Sequence, residues 1–381
     1  MMTSLSSGRQ GTSLLRKIWQ INWSLILLVL VLAGVGFAML YSAGGGSLEP
    51  WAIRQIARAA VGLVLMIVVA LVDLRFWMRW AYLGYLVALL MLVAVEVQGS
   101  IGMGAQRWLD LGVIQVQPSE IMKITLVLAL ARWFHAASIE DVGRIHYLAV
   151  PALLVAAPVA LVMKQPDLGT ALMLLMGSTA MLFIVGVRWW KFALGFAAVA
   201  AAVPLGWNFL RDYQKARVRV FLDPTLDPLG AGYHIIQSKI ALGSGGMFGK
   251  GFGLGTQSHL NFLPEKQTDF IFTMLAEEFG MAGSLTLLGL YLLIMIYGYA
   301  IAFRCTSQFG RLVAIGIVTA VFLAMFINMA MVMGMIPAKG STLPMVSYGG
   351  SSLIVTMVGF GLLIGVWVHR DVRIGRRVGE D

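Results

Sequence analysis

Runs of about 15–25 mostly apolar residues recur from one end of this chain to the other, and they limit what it can fold into. A helix needs about 20 such residues to cross a bilayer core of about 30 Å. The first run, NWSLILLVLVLAGVGFAMLYSA at 22–43, is too long for a signal-peptide core and no cleavage site follows it, so it is expected to remain as a span. The others place spans at 57–72, 80–97, 119–134, 147–163, 168–187, 191–210, 269–303, 311–336 and 352–368. The expected fold class is an all-α integral membrane protein with about ten transmembrane helices and one long extracytoplasmic loop at 211–268. Composition agrees: the chain is 59% hydrophobic and only 12% charged, where a soluble protein carries about 25%.

The net charge of +10 would suggest nucleic acid in a soluble protein, but here it orients the chain and no nucleic-acid partner is expected. With the N-terminus inside, the inner segments carry Arg9, Arg16, Lys17, Arg75, Arg79, Arg132, Arg144, Arg188, Lys191, Arg304 and Arg311. Arg370, Arg373, Arg376 and Arg377 extend the same pattern, while the short outer loops hold only Arg54, Arg107, Lys164 and Lys339. That bias puts both termini in the cytoplasm of a multi-pass protein of the cytoplasmic (inner) membrane. The expected organisation is a cytoplasmic tail at 1–21, a polytopic membrane domain at 22–369 and a basic tail at 370–381. Cys305, the single cysteine, excludes an intramolecular disulfide. Residues 211–268 break the charge rule with Arg211, Lys215, Arg217, Arg219, Lys239, Lys250 and Lys266. Long loops tolerate such charge, and a basic outer loop also suits an anion at the outer leaflet.

Polar motifs concentrate on the outer side. Glu120 and Lys123 stand three apart, share a helix face and are expected to pair. Asp167 in QPDLGTA suits the cap of the sixth span, with Pro166 ending the fifth. In the long loop, Asp223 and Asp227 make Asp-Pro turns without an obvious third metal ligand. GSGGMFGKGFGLGTQ is not a Walker loop, but amides bared at Gly245 and Gly246 are one way to cradle phosphate. Asp269 opens the eighth span at its outer boundary, with Lys266 and Arg217 as cations expected nearby. Glu277 lies about 12 Å deeper at 1.5 Å per residue, and Glu278 faces nearly the opposite way. Those two acids are expected in helix contacts, because intramembrane carboxylates seldom face lipid. The ninth span carries Asn328 among several methionines, and methionine at helical spacing reads as packing.

Assembled, these segments resemble the SEDS family of cell-wall polymerases. The stretch FLDPTLDPLGAGYHIIQSKIALGSGGMFGKGFGLGTQSHLNFLPEKQTDFIFTMLAEEFG is similar to that family's long-loop signature. RWLDLGVIQVQPSEIMK, QPDLGTA and LPMVSYGGSS match its other blocks in order, and GTQSHLNFLPEKQTDF is nearer the elongation branch than the division branch. The resemblance runs from about 22 to 370. It implies an enzyme that polymerises lipid II into glycan strands on the outer face. It also implies Asp269 as the catalytic acid residue, and Glu120, Lys123, Asp167, Ser347 and Gly349 as substrate-binding. In IPAKGSTLP, Lys339 and Thr342 depart from the family's pattern and alter that outer loop locally.

The chemistry agrees. Extending a glycan needs a base for the acceptor hydroxyl, and a positioned carboxylate contributes about 10²–10⁴-fold. The lipid diphosphate is a good leaving group, so the need is for positive charge upon it. Arg217, Lys266, glycine amides or a divalent cation such as magnesium or manganese would supply that charge. No cofactor is otherwise expected. The chain has no transpeptidase segment, so the resemblance implies a class B penicillin-binding protein and other elongation-complex membrane proteins as partners to lipid II and the nascent strand. The rival reading is a lipid II flippase using Glu120, Lys123, Glu277 and Glu278. A flippase calls for polar features at both ends of its path, and these cluster at one.

Overall fold

In the computed structural model, the described residues are 14–102, 105–110, 112, 115–209, 215, 219–227, 230–260, 262–263, 265–337, 340–372 and 374–375. The helices are α1 (Leu14–Trp19), α2 (Trp23–Ala43), α3 (Ala52–Leu71), α4 (Leu74–Gln98), α5 (Pro118–His135), α6 (Ile139–Gly143) and α7 (Ile145–Lys164). They continue with α8 (Leu168–Val185), α9 (Trp189–Phe209), α10 (Ala231–Ser244), α11 (Thr256–His259), α12 (Ile271–Arg304), α13 (Gln308–Val332) and α14 (Gly350–Val368). Eight of them, α2, α3, α4, α7, α8, α12, α13 and α14, are long and apolar enough to cross a membrane. Two more, α5 and α9, reach 18 and 21 residues. The chain is a multi-pass, almost wholly helical membrane protein. Each expected span coincides with one of these ten helices.

Helix starts are where expectation and structure part. The second and third spans begin at Ala52 and Leu74, several residues earlier than expected. Their first two turns carry Arg54, Arg58, Arg75 and Arg79, whose long stems let a cation reach the interface from within a helix. At the centre stand α13 and α14, with 78% and 67% of their apolar windows buried, against 28% for α4. The rest pack around them and present Leu, Val and Phe outward, as a bilayer requires.

Between α4 and α5 lies a small antiparallel sheet in the order β1 (Ser100–Gly102), β2 (Ala105–Asp110), β3 (Gln115–Val116). β1 and β3 are too short to show a period, and AQRWLD in β2 does not alternate apolar with polar.

The eighth span is two helices joined at Gly280, where φ is 64° and ψ −157°. In an unbroken helix the Met281 and Ala282 amides would donate to the carbonyls of Glu277 and Glu278. Here they donate to Gly246 at 2.9 Å and Met247 at 3.0 Å. The freed carbonyls of Glu277 and Glu278 accept from the Lys250 and Gly251 amides, both at 3.0 Å. The glycine-rich loop is thus spliced into the break and satisfies all four groups, which in a membrane protein would be costly to leave open. A Cβ at Gly249 would overlap the Glu278 carbonyl, so the loop reaches this depth only as glycine. The stretch 281–304 is long enough to span the bilayer core by itself at about 1.5 Å per residue. Residues 271–279 are therefore free to sit at its edge.

Candidate functional site

A cavity of about 330 Å³ opens between the N-terminal halves of α5, α8 and α14 and the middle of α13, beneath the loops 265–270 and 340–349. Its wall includes Arg107, Gln117, Glu120, Lys123, Asp167, Asp269, Ser347 and Gly349. Residues from four separated motifs therefore meet at one point.

Asp269 is held by its backbone. Its carbonyl accepts from Asn328 Nδ2 at 2.9 Å, and the same nitrogen donates to the Ser341 carbonyl at 2.5 Å. Next to it, the Thr268 carbonyl accepts from Ser347 Oγ at 2.6 Å, and the Gln267 carbonyl accepts from the Tyr348 amide at 2.8 Å. Among the described residues none makes a hydrogen bond or ion pair with the Asp269 carboxylate. Burial pushes its pKa up to about 6, the nearby Glu265 carboxylate adds to the rise, and Arg107 opposes it. A carboxylate fixed through its backbone, with oxygens unspent and a pKa near neutrality, is the arrangement of a general base.

Arg107 leaves β2 and donates through Nε to the Gln165 carbonyl at 3.3 Å and through Nη2 to the Pro166 carbonyl at 2.5 Å. At the cavity wall it ties the hairpin to the turn before α8. Glu120 and Lys123 pair at 2.8 Å, as their spacing implied. Asp167 caps α8, accepting from the Thr170 amide at 3.1 Å and Thr170 Oγ1 at 2.8 Å. Ser347 accepts from the Leu343 amide at 2.7 Å besides donating to Thr268, so its hydroxyl shapes the loop. The Gly349 amide donates to Gln55 Oε1 at 3.3 Å, and Gln55 Nε2 donates to the Ser347 carbonyl at 2.9 Å.

Other expected residues lie elsewhere. Gly245 and Gly246 are not in the cavity wall; Gly245 packs on the Ala276 carbonyl and Gly246 belongs to the splice at Gly280. Lys266 is buried outside the cavity wall, and that burial lowers its pKa. Arg217 and Lys339 lie outside the described residues. Glu277 and Glu278 are fully buried away from the cavity. Glu277 pairs with Lys250 at 2.8 Å, and Glu278 accepts from Ser42 Oγ at 2.5 Å. Asp223 caps the short 3₁₀ turn Pro224–Leu226 through Thr225. Among the described residues no group of three or more His, Cys, Asp or Glu is placed to hold a metal. Arg107, Gln55 and Asn328 carry the site without having been singled out for it. In the sequence Arg107 stands out only as one of the few bases of the short outer loops and Asn328 as a lone amide in an apolar run, while Gln55 gives no signal.

Comparison with known proteins places the chain. The cell cycle protein model FtsW/RodA/SpoVE matches residues 22–372. This chain belongs to that family. It is 45% identical to peptidoglycan glycosyltransferase MrdB of Escherichia coli K12 over 357 residues, 92% of this chain and 94% of that one. It is 35% identical to stage V sporulation protein E of Bacillus subtilis 168, across 90% of this chain and 95% of that protein. In structure it matches the rod shape determining protein RodA of Thermus thermophilus with a TM-score of 0.70 and 31% identity, over 93% of this chain and 98% of that one. A chain from work on the structural coordination of polymerization and crosslinking by a peptidoglycan synthase complex matches with a TM-score of 0.79 and 35% identity, over 92% and 98%.

Proposed function

We infer that this family member is a peptidoglycan glycosyltransferase that polymerises lipid II during cell elongation, on the outer face of the cytoplasmic membrane. The observation that carries the reading is Asp269: clamped through its backbone, facing the cavity, its carboxylate unbonded to any of the described residues. Its carboxylate takes the proton of the acceptor hydroxyl as that oxygen bonds to the donor's anomeric carbon. The bond from that carbon to the diphosphate breaks, and the lipid diphosphate leaves with the electron pair. With a pKa of about 6 the base is mostly ionised at neutral pH and still basic enough to accept a proton. Among the described residues Arg107 and Lys123 are the cations of the cavity wall. We assign the diphosphate to them in place of Lys266, with Arg217 a further cation from the sequence. Both termini are placed in the cytoplasm by the positive-inside bias.

The similarity to a synthase complex that coordinates polymerization and crosslinking supports a transpeptidase partner, a class B penicillin-binding protein. Purified chain in detergent, given labelled lipid II, is expected to make glycan polymer resolvable on a gel. Well-folded protein that makes none under any cation supplied, with or without its cognate transpeptidase, would refute the reading.

A further inference from the structure

The segment 271–279, directly after Asp269, is a short helix cut off from its span by the break at Gly280. Helices shorter than about 12 residues are marginal by themselves, so its placement depends on what holds its two ends. Asn328, Ser347 and Tyr348 hold the end bearing Asp269. The other end is held by the glycine-rich loop. Besides the backbone bonds at Gly280 and the packing of Phe252 on Phe279, an ion pair joins that loop to the half-helix: Lys250 Nζ lies 2.8 Å from Glu277 Oε1 and 2.7 Å from Thr256 Oγ1. The same carboxylate oxygen accepts from the Gln257 amide at 2.9 Å and Thr256 Oγ1 at 3.1 Å. Glu277 is wholly buried, whereas the Lys250 side chain is 28% exposed and outside the cavity wall.

We propose that Lys250 is a positioning residue for glycosyl transfer, clamping the glycine-rich loop onto Glu277 and so fixing the half-helix that presents Asp269 to the cavity. The proposal rests on Asp269 being the base. Lys250 touches no reacting atom. Its effect comes from geometry, because a base displaced by about 1 Å can lose about 100-fold in rate. Glycines in the loop allow the close approach but bring no side-chain contact to hold it, so the ionic lock supplies what they lack.

The test compares wild type, Lys250→Met, Lys250→Arg and Glu277→Gln as full-length purified protein. Three quantities are read: kcat and KM with labelled lipid II, the thermal midpoint, and amide exchange across 271–279. Lys250→Met is expected to lose at least about 10-fold in kcat with KM within about 2-fold, and to exchange faster across 271–279. Lys250→Arg is expected to recover most of kcat, since it restores the charge and the donors. Wild-type kcat in folded Lys250→Met, or unchanged exchange there, would overturn the proposal. So would a loss that Lys250→Arg fails to relieve. Should Lys250→Met not fold, Glu277→Gln carries the same comparison, because it keeps an acceptor and removes only the charge. A wild-type chain that makes no polymer overturns the glycosyltransferase reading instead, and the exchange rates then decide by themselves whether Lys250 holds the half-helix.

Discussion

Replacing Asp269 by Asn should make the protein more stable at neutral pH while abolishing its chemistry. The folded-state pKa is about 6 against an ordinary value of 3.8, because burial and Glu265 disfavour the ionised form. Between those values the folded state holds a proton that the unfolded state has lost, so stability falls as pH rises through that window and the cost is complete above it. One pKa step is about 1.4 kcal/mol, which puts the cost of ionised Asp269 at about 2–3 kcal/mol at pH 7. Among the described residues the carboxylate has no partner to lose, and the backbone bond from Asn328 survives the change. For domains of 150–250 residues about 1 kcal/mol moves Tm by about 2–4 °C, and less in a chain of 381 residues, so an upward shift of a few degrees is expected. The assay is thermal unfolding of both proteins in one detergent from pH 4 to 8. The gap should be widest at pH 7–8 and close toward pH 4, where both carry a neutral side chain. An Asn variant that is no more stable at pH 7, or a gap that ignores pH, would refute the reasoning.

Arg107→Met should raise the pH at which the acid limb of kcat/KM falls, because Arg107 opposes the rise at Asp269; a pH–rate profile checks this. Glu120→Ala and Lys123→Ala should each lose activity and folded yield. Breaking a fully buried pair costs about 3–5 kcal/mol, and partial exposure on both sides reduces that, as thermal midpoints would record. Asn328→Leu leaves the Asp269 and Ser341 carbonyls without their donor, at about 1–3 kcal/mol. Its kcat should fall more than its KM rises in steady-state assays.

The spans were legible because each apolar run has to cross the bilayer by itself, so local sequence decides it. The pair of Glu120 with Lys123 and the cap at Asp167 were legible for a similar reason, since their partners lie three residues away. What was hidden is non-local. Glu277 reads as buried, but Lys250 is its partner from 27 residues off. Gly280 breaks its helix among many other glycines that do not, and only the loop lodged beside it distinguishes it. Gly245 and Gly246 suggested a phosphate cradle by composition, and the structure spends that loop on helix carbonyls. Arg107 gains its place from carbonyls 58 and 59 residues away, a relation that no local pattern encodes.

Asp269 as general base is the central claim, and polymer formation from labelled lipid II by wild type and Asp269→Asn tests it most directly. Asn keeps the size and polarity of the side chain and cannot accept the proton, so polymer should fall by about 10²–10⁴-fold while lipid II still binds. Polymer at the wild-type rate from a well-folded Asp269→Asn protein would contradict the account.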